Sequence, residues 1–375
     1  MISPKDFYNH LTKEKINFYA GVPDSLLKDL CFYISDNNSR NHIIAANEGN
    51  AVALSIGYYL ATSKVPMIYL QNSGLGNLIN PLLSLADQEV YSIPMLMVIG
   101  WRGKPGTKDE PQHKKQGRVM LKMLESMEIP YKVIYKKDDT QKIKNKVSAI
   151  IKNINKRNSP CAIIIEKGSF EEYSLKSPIR RTFSLNREKA MNIVLETIHT
   201  KSIIVSTTGY TSRELFEFKK KCKKLNSADF LTVGGMGHAS QIALGIAMRQ
   251  KKPVFCFDGD GSILMHMGSL AINGSLKISN FKHIVFNNGS HESVGGQETV
   301  GHNIKINKIA KYSGYELTLV AKTKQQIISS MKKINSFKGT ALLEIMISNG
   351  TRANLTRPDT TPQENKMALM SFMRK

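Results

Sequence analysis

Twelve short apolar runs, separated by stretches of helical periodicity, constrain this chain more than any other feature of it. Six of them, NFYAGV (17–22), HIIAA (42–46), VPMIYL (65–70), IPMLMVIG (93–100), YKVIY (131–135) and CAIIIE (161–166), precede a stretch without the pattern, KGSFEEYSLKSPIRRTFSL (167–185). Six more follow: SIIVS (202–206), DFLTV (229–233), PVFCFD (253–258), FKHIVFN (281–287), ELTLVA (316–321) and ALLEIMI (341–347). Helical patterns lie between them, for instance DSLLKDLCFYI after Pro23 and GNAVALSIGYYLA after Glu48. Ser3, Pro4 and Asp6 form the N-cap and first-turn signal of an opening helix. Strands joined by helix-length connections pair in parallel, with helices on both faces of the sheet. The pattern therefore predicts an α/β chain of two parallel-sheet domains of like topology, at 1–180 and 181–375, with 167–185 as the linker.

The chain has 375 residues, 41% hydrophobic and 22% charged, enough to bury two cores and unlike a disordered chain. No apolar run reaches the 18 residues or so of a membrane span, and MISPKDFYNH has a carboxylate where a signal peptide begins its apolar stretch. Cys31, Cys161, Cys222 and Cys256 lie far apart, without metal-binding spacing. A reduced, cytoplasmic protein is expected. The formal charge of +23 comes from lysines spread along helix faces, as in KKDDTQKIKNK and FKKKCKKLN. No aromatic interleaving or nucleic-acid-binding motif accompanies them. A solvated basic surface is therefore expected, with neither nucleic acid nor membrane as partner and with a field that favours anionic substrates.

The sharpest chemical signal is Asp258-Gly259-Asp260-Gly261-Ser262 followed by Asn287-Asn288-Gly289, with 25 residues (262–286) between Gly261 and Asn287. Each group ends a predicted strand. A carboxylate and an amide oxygen brought together there are hard ligands for Mg²⁺ that leave positions open for phosphate oxygens. The adjacent glycines let a diphosphate approach backbone N–H groups at a helix start. Glu48 in AANEGNA stands at a predicted strand end and helix start, where the helix dipole alone favours a carboxylate. Gly234-Gly235-Met236-Gly237-His238 follows another strand, and Met236 fits either a packed core or a ligand surface.

Taken together, these motifs resemble the decarboxylase branch of the thiamine-diphosphate-dependent enzymes along almost the whole chain. The matching segments are AGVPDSLLKDL, AANEGNAVALSIGYYLAT, IYLQNSGLGNLINPLLSL, IGWRGKPGTKDEPQHKKQG, VSTTGYTSRELFE, GGMGHASQIALGIA, FDGDGSILMHMGSLA, NNGSHESVGGQET and TRANLTRPDTTPQENK. The resemblance implies a pyrimidine-binding domain followed by a diphosphate-binding domain, with no central third domain. It implies thiamine diphosphate and Mg²⁺ as cofactors, with Asp260, Asn288 and the Ser290 carbonyl as metal ligands. Thr208, Gly209, Gly261 and Ser262 would contact the diphosphate. Gly234 and Met236 would present backbone groups to the aminopyrimidine, the Met236 side chain holding the cofactor bent.

Glu48 would be the carboxylic acid against the aminopyrimidine N1′. It would come from a different subunit than Asp260, so that a homodimer or larger oligomer is expected. His113 is implied as a proton-transfer or carboxylate-orienting group, with Asp24 beside it as a further catalytic residue. Ser293, Gly295, Gly296 and Gln297, with Arg102, Arg352 and Arg357, are candidates for holding an anionic substrate. One departure is Lys104, where the family pattern carries an acidic residue. The implied reaction is the decarboxylation of 3-phosphonopyruvate to phosphonoacetaldehyde in phosphonate biosynthesis. Sulfopyruvate or another 2-oxoacid is the alternative substrate.

Overall fold

The structure, a computed structural model, describes residues 1–176, 183–199, 201–222 and 228–374. All twelve predicted strands are present. In the first half they are β1 (Tyr19–Gly21), β2 (His42–Ile44), β3 (Met67–Gln71), β4 (Leu96–Gly100), β5 (Tyr131–Ile134) and β6 (Cys161–Ile165). The second half contains β7 (Ile203–Ser206), β8 (Ala228–Leu231), β9 (Val254–Gly259), β10 (Phe281–Asn287), β11 (Leu317–Ala321) and β12 (Ala341–Met346).

The pairings are parallel throughout both sheets. The orders are β2-β1-β3-β4-β6-β5 and β8-β7-β9-β10-β12-β11. Counted from its own first strand, each sheet has the same order, so the halves share one topology as the alternation predicts. The chain divides into two compact units, one carrying each sheet, and the short stretch Val294–Gln297 groups with the first. The boundary expected at 180/181 lies outside the described residues.

Both faces of each sheet are covered, which is why the strands read as continuous apolar runs. Tyr19, Met67, Val98 and Ile163 pack on one face of the first sheet, and Ala20, Ile68, Met97 and Ile164 on the other. Phe255, Ile284 and Leu343 on one side, and Val254, Val285 and Leu342 on the other, do the same in the second.

Local signals set several boundaries. Ser3 Oγ accepts from the Asp6 N–H at 3.0 Å and caps the helix Pro4–Lys13. The helical pattern after Pro23 begins later than the sequence suggests, at Lys28. A turn at 24–27, closed by the Leu27 N–H on the Asp24 carbonyl at 3.1 Å, precedes it and keeps Asp24 buried. The start of the expected linker is packed against the first unit. Phe170 sets its ring 5.2 Å from that of Phe7, and the Tyr173 hydroxyl donates to Asp36 at 2.8 Å. Residues 177–182 of that stretch lie outside the described residues.

In the second unit the helix Pro362–Arg374 covers the sheet edge. Asn365 accepts from the Leu231 N–H and donates to the Asp229 carbonyl, both at 3.0 Å, pairing with β8 as another strand would. Among the described residues no helix is long and apolar enough to cross a membrane. The four cysteines are free thiols.

Candidate active site

β9 and β10 are hydrogen-bonded neighbours, and their ends bring Asp260 and Asn288 together. Asp260 opens the helix Asp260–Met265 and is only 1% exposed. The Thr299 hydroxyl donates to its Oδ2, and the Asn288 N–H donates to its Oδ1 at 3.3 Å. These donors are neutral. Burial lifts the carboxyl from its ordinary 3.8 to about 6, and the nearby Glu344 carboxylate adds to the rise. The Asn288 amide oxygen accepts from the Ser290 N–H at 3.1 Å, while the buried Ser290 hydroxyl has no hydrogen-bond partner.

A cavity of about 60 Å³ opens in front of this pair, lined in part by Thr208, Met236, Gly261, Ser262 and Ser293. Ser262 Oγ ties its rim together, accepting from Thr207 Oγ1 at 3.1 Å and from the Gly237 N–H at 3.0 Å. Gly209 starts the helix Tyr210–Lys221 at φ 89°, a left-handed conformation that glycine adopts without strain. Met236 is half-buried, so it belongs to the cavity wall rather than to the core. Gly234 lies beside it in the same loop. A buried carboxylate bonded only by neutral groups, an amide oxygen, an unpartnered hydroxyl and a helix start fit Mg²⁺ with a diphosphate.

Glu48 opens the helix Glu48–Thr62 in the first unit, with Asn47 as the cap. It is buried, and its Oε2 accepts from Asn77 Nδ2 at 2.7 Å. Burial raises its carboxyl above the usual range, with the Asn77 bond opposing the rise. Gly74 lies against this carboxylate with no space for a side chain between them.

A second group gathers the buried Asp24 and His113 with the half-buried Arg102 and Asp109. No side chain bonds either Asp24 oxygen among the described residues, and burial pushes its carboxyl from 3.8 to about 7, against the pull of Arg102 and of the Leu26 and Ser25 backbone N–H groups. His113 lies in the helix Pro111–Ser126. Burial, then the Arg102 charge, lowers its imidazole to about 4, and Nδ1 is unpartnered. Arg102 grips Asp109 through Nε at 2.9 Å and Nη2 at 2.6 Å, and reaches Ser25 Oγ at 3.1 Å. Lys104 pairs with Glu166, which balances its charge.

The remaining substrate candidates divide. Gly295 and Gly296 have φ of 142° and 93°, and both amide atoms of buried Gln297 lack partners. Arg352 is held by Glu188 at 2.9 Å and by Glu217, and neither it nor the exposed Arg357 lines the Asp260 cavity. A clamp at Arg352 would first have to release two carboxylates. Sequence reasoning missed Thr299, Arg187 and Glu292. Arg187 is buried, bonds Glu214 through Nε and Nη2, and donates to Glu292 Oε2 at 2.8 Å.

Residues 5–131 match the family model of the N-terminal TPP binding domain of thiamine pyrophosphate enzymes, and residues 207–345 match that of the C-terminal one. The chain belongs to the thiamine pyrophosphate (thiamine diphosphate) enzymes. Within that class it is 30% identical over 388 residues to the phosphonopyruvate decarboxylase of Streptomyces viridochromogenes, covering 100% of this chain and 95% of the relative. The phosphonopyruvate decarboxylase of Streptomyces hygroscopicus is 30% identical over 379 residues, at 97% and 92% coverage. The sulfopyruvate decarboxylase of Methanosarcina acetivorans is 26% identical over 387 residues, at 97% and 96%.

Proposed function

We propose that this chain decarboxylates 3-phosphonopyruvate to phosphonoacetaldehyde and CO₂ with thiamine diphosphate and Mg²⁺, as a cytoplasmic step of phosphonate biosynthesis. The observation that carries the chemistry is the buried Asp260 carboxylate, bonded by neutral groups alone, next to Asn288 on a cavity. The head group rests on the whole-chain similarity to the two phosphonopyruvate decarboxylases. Similarity to a sulfopyruvate decarboxylase supports a sulfonate as the second reading.

Asp260, Asn288 and the Ser290 carbonyl would hold Mg²⁺. Thr208, Gly209, Gly261 and Ser262 would hold the diphosphate, and Gly234 and Met236 the aminopyrimidine. Thiamine diphosphate, when bound, supplies an electron sink for the pair left by the departing CO₂. Glu48 would hold a proton at Oε1 for the cofactor's N1′, since Asn77 already donates to Oε2. Asp24, lifted to about 7, still carries a proton in about half of the molecules at pH 7, and in that form it donates a hydrogen bond to the anionic substrate. His113, whose Nδ1 is unpartnered, would orient the substrate carboxylate or, after taking up a proton from solvent, pass that proton to the product carbon. Arg102, beside Asp24, contacts the head group, together with Ser293, the Gly295 and Gly296 N–H groups and Gln297.

Self-association into a homodimer or larger oligomer is part of the proposal. Leu54 and Leu60 on the helix Glu48–Thr62, and Ile242 and Met248 at the helix Ala239–Ala247, expose apolar side chains suited to a subunit interface.

Titration calorimetry with thiamine diphosphate and Mg²⁺ tests the site. The parent should bind, and Asp260→Ala should abolish the Mg²⁺-dependent part of that binding while the fold persists. Equal affinity in the two proteins would refute the metal assignment.

A further inference from the structure

Asn288 is offered as a cation ligand through its oxygen, yet an amide has two ends of nearly equal size. Turned the other way, it would present an NH₂ group to the cation. The structure shows what fixes it. Asn288 Nδ2 donates to Glu292 Oε2 at 3.2 Å. An ionised carboxylate only accepts hydrogen bonds, so the nitrogen must face Glu292 and the oxygen must face away. The Ser290 N–H supports the oxygen side at 3.1 Å.

Glu292 is itself held on every side. Arg187 Nη1 donates to the same Oε2 at 2.8 Å, and the Gly350 N–H donates to Oε1 at 2.6 Å. Arg187 is in turn locked by Glu214 at 2.9 and 3.0 Å and by Thr351 Oγ1 at 3.0 Å, with its guanidinium 5.5 Å from the centre of the Tyr210 ring. A network of charge-assisted bonds, buried at the Arg187–Glu214 pair and half-buried at Glu292, therefore ends on the nitrogen of one amide.

We propose that Glu292, fixed by Arg187, is a positioning residue that keeps the Asn288 oxygen turned toward the cation. Groups behind a metal ligand commonly act in this way, and losing one typically costs about 10–100-fold in metal affinity. This inference rests on the reading of Asp260 and Asn288 as cation ligands.

The test uses the full chain with thiamine diphosphate and Mn²⁺, following bound Mn²⁺ by electron paramagnetic resonance. Glu292→Ala should weaken Mn²⁺ binding about 10–100-fold. The unfolding midpoint of the metal-free variant shows whether the fold persists. The same change is then made in the Asn288→Asp background. A carboxylate has two equivalent oxygens and no wrong orientation, so removing Glu292 should there cost no Mn²⁺ affinity. Should the Ala variant fail to fold, Glu292→Gln, whose amide can present either atom to Asn288, carries the same comparison. Equal losses in the two backgrounds, or no loss with Asn288 present, would overturn the positioning role alone. A parent protein that binds no Mn²⁺ with thiamine diphosphate would overturn the ligand reading along with it.

Discussion

Gly74 and Glu48 adjoin so closely that a methyl group on Gly74 would overlap the Glu48 carboxylate. The smallest substitution at position 74 must therefore displace a side chain that is proposed to hold a proton for the cofactor. Because the end of a side chain moves more easily than backbone, Gly74→Ala should cost only about 1–3 kcal/mol of stability. Activity should fall by about 100-fold or more, the scale of a lost acid–base group. Glu48→Gln should do the same with the backbone untouched. Hydrogen–deuterium exchange at C2 of the bound cofactor measures the affected step, and an unchanged rate in both variants would refute the role of Glu48.

Asp24 gives a pH signature. Its carboxyl is raised from 3.8 to about 7 by burial, so the folded protein binds this proton more tightly than the unfolded chain does. The contribution of a raised carboxyl is fully present at low pH and is lost as pH rises through the folded value. Asp24→Asn, which does not titrate, should match the parent below about pH 4 and exceed it at neutral pH. The difference should approach roughly 4 kcal/mol above pH 7. Thermal unfolding of both proteins between these limits checks this, and a pH-independent difference would contradict it.

Most of the fold was legible because each strand is buried on both faces and so appears as a solid apolar run. The turn at 24–27 was not, because Leu26, Leu27 and Leu30 have helical spacing whether or not the helix has begun. Phe170 and Tyr173 read as linker because their partners, Phe7 and Asp36, are far away in sequence. The site divides in the same way. Asp260, Asn288 and Glu48 stand at strand ends, where the pattern itself points. Thr299 bonds a residue 39 positions away and Glu292 is held by one 105 positions away, and no local period records such contacts.

The arginines separate by what surrounds them. Both are already held, Arg102 by Asp109 and Ser25 and Arg352 by Glu188 and Glu217, but Arg102 lies with the buried Asp24 and His113. Arg102→Ala should lose about 2–5 kcal/mol of transition-state binding for phosphonopyruvate. Pyruvate, without the head group, should be affected far less, and Arg352→Ala should leave the preference between the two unchanged. Steady-state kinetics on both substrates decides this. A parent-like preference in Arg102→Ala would move the selectivity to the Ser293–Gln297 backbone or to lysines.

Everything above converges on one reaction, which can be watched as CO₂ release from 3-phosphonopyruvate by the whole protein. Turnover should require both thiamine diphosphate and Mg²⁺ and should exceed that of sulfopyruvate and of pyruvate. If the protein binds both cofactors yet releases no CO₂ from any of the three, it is not the decarboxylase proposed.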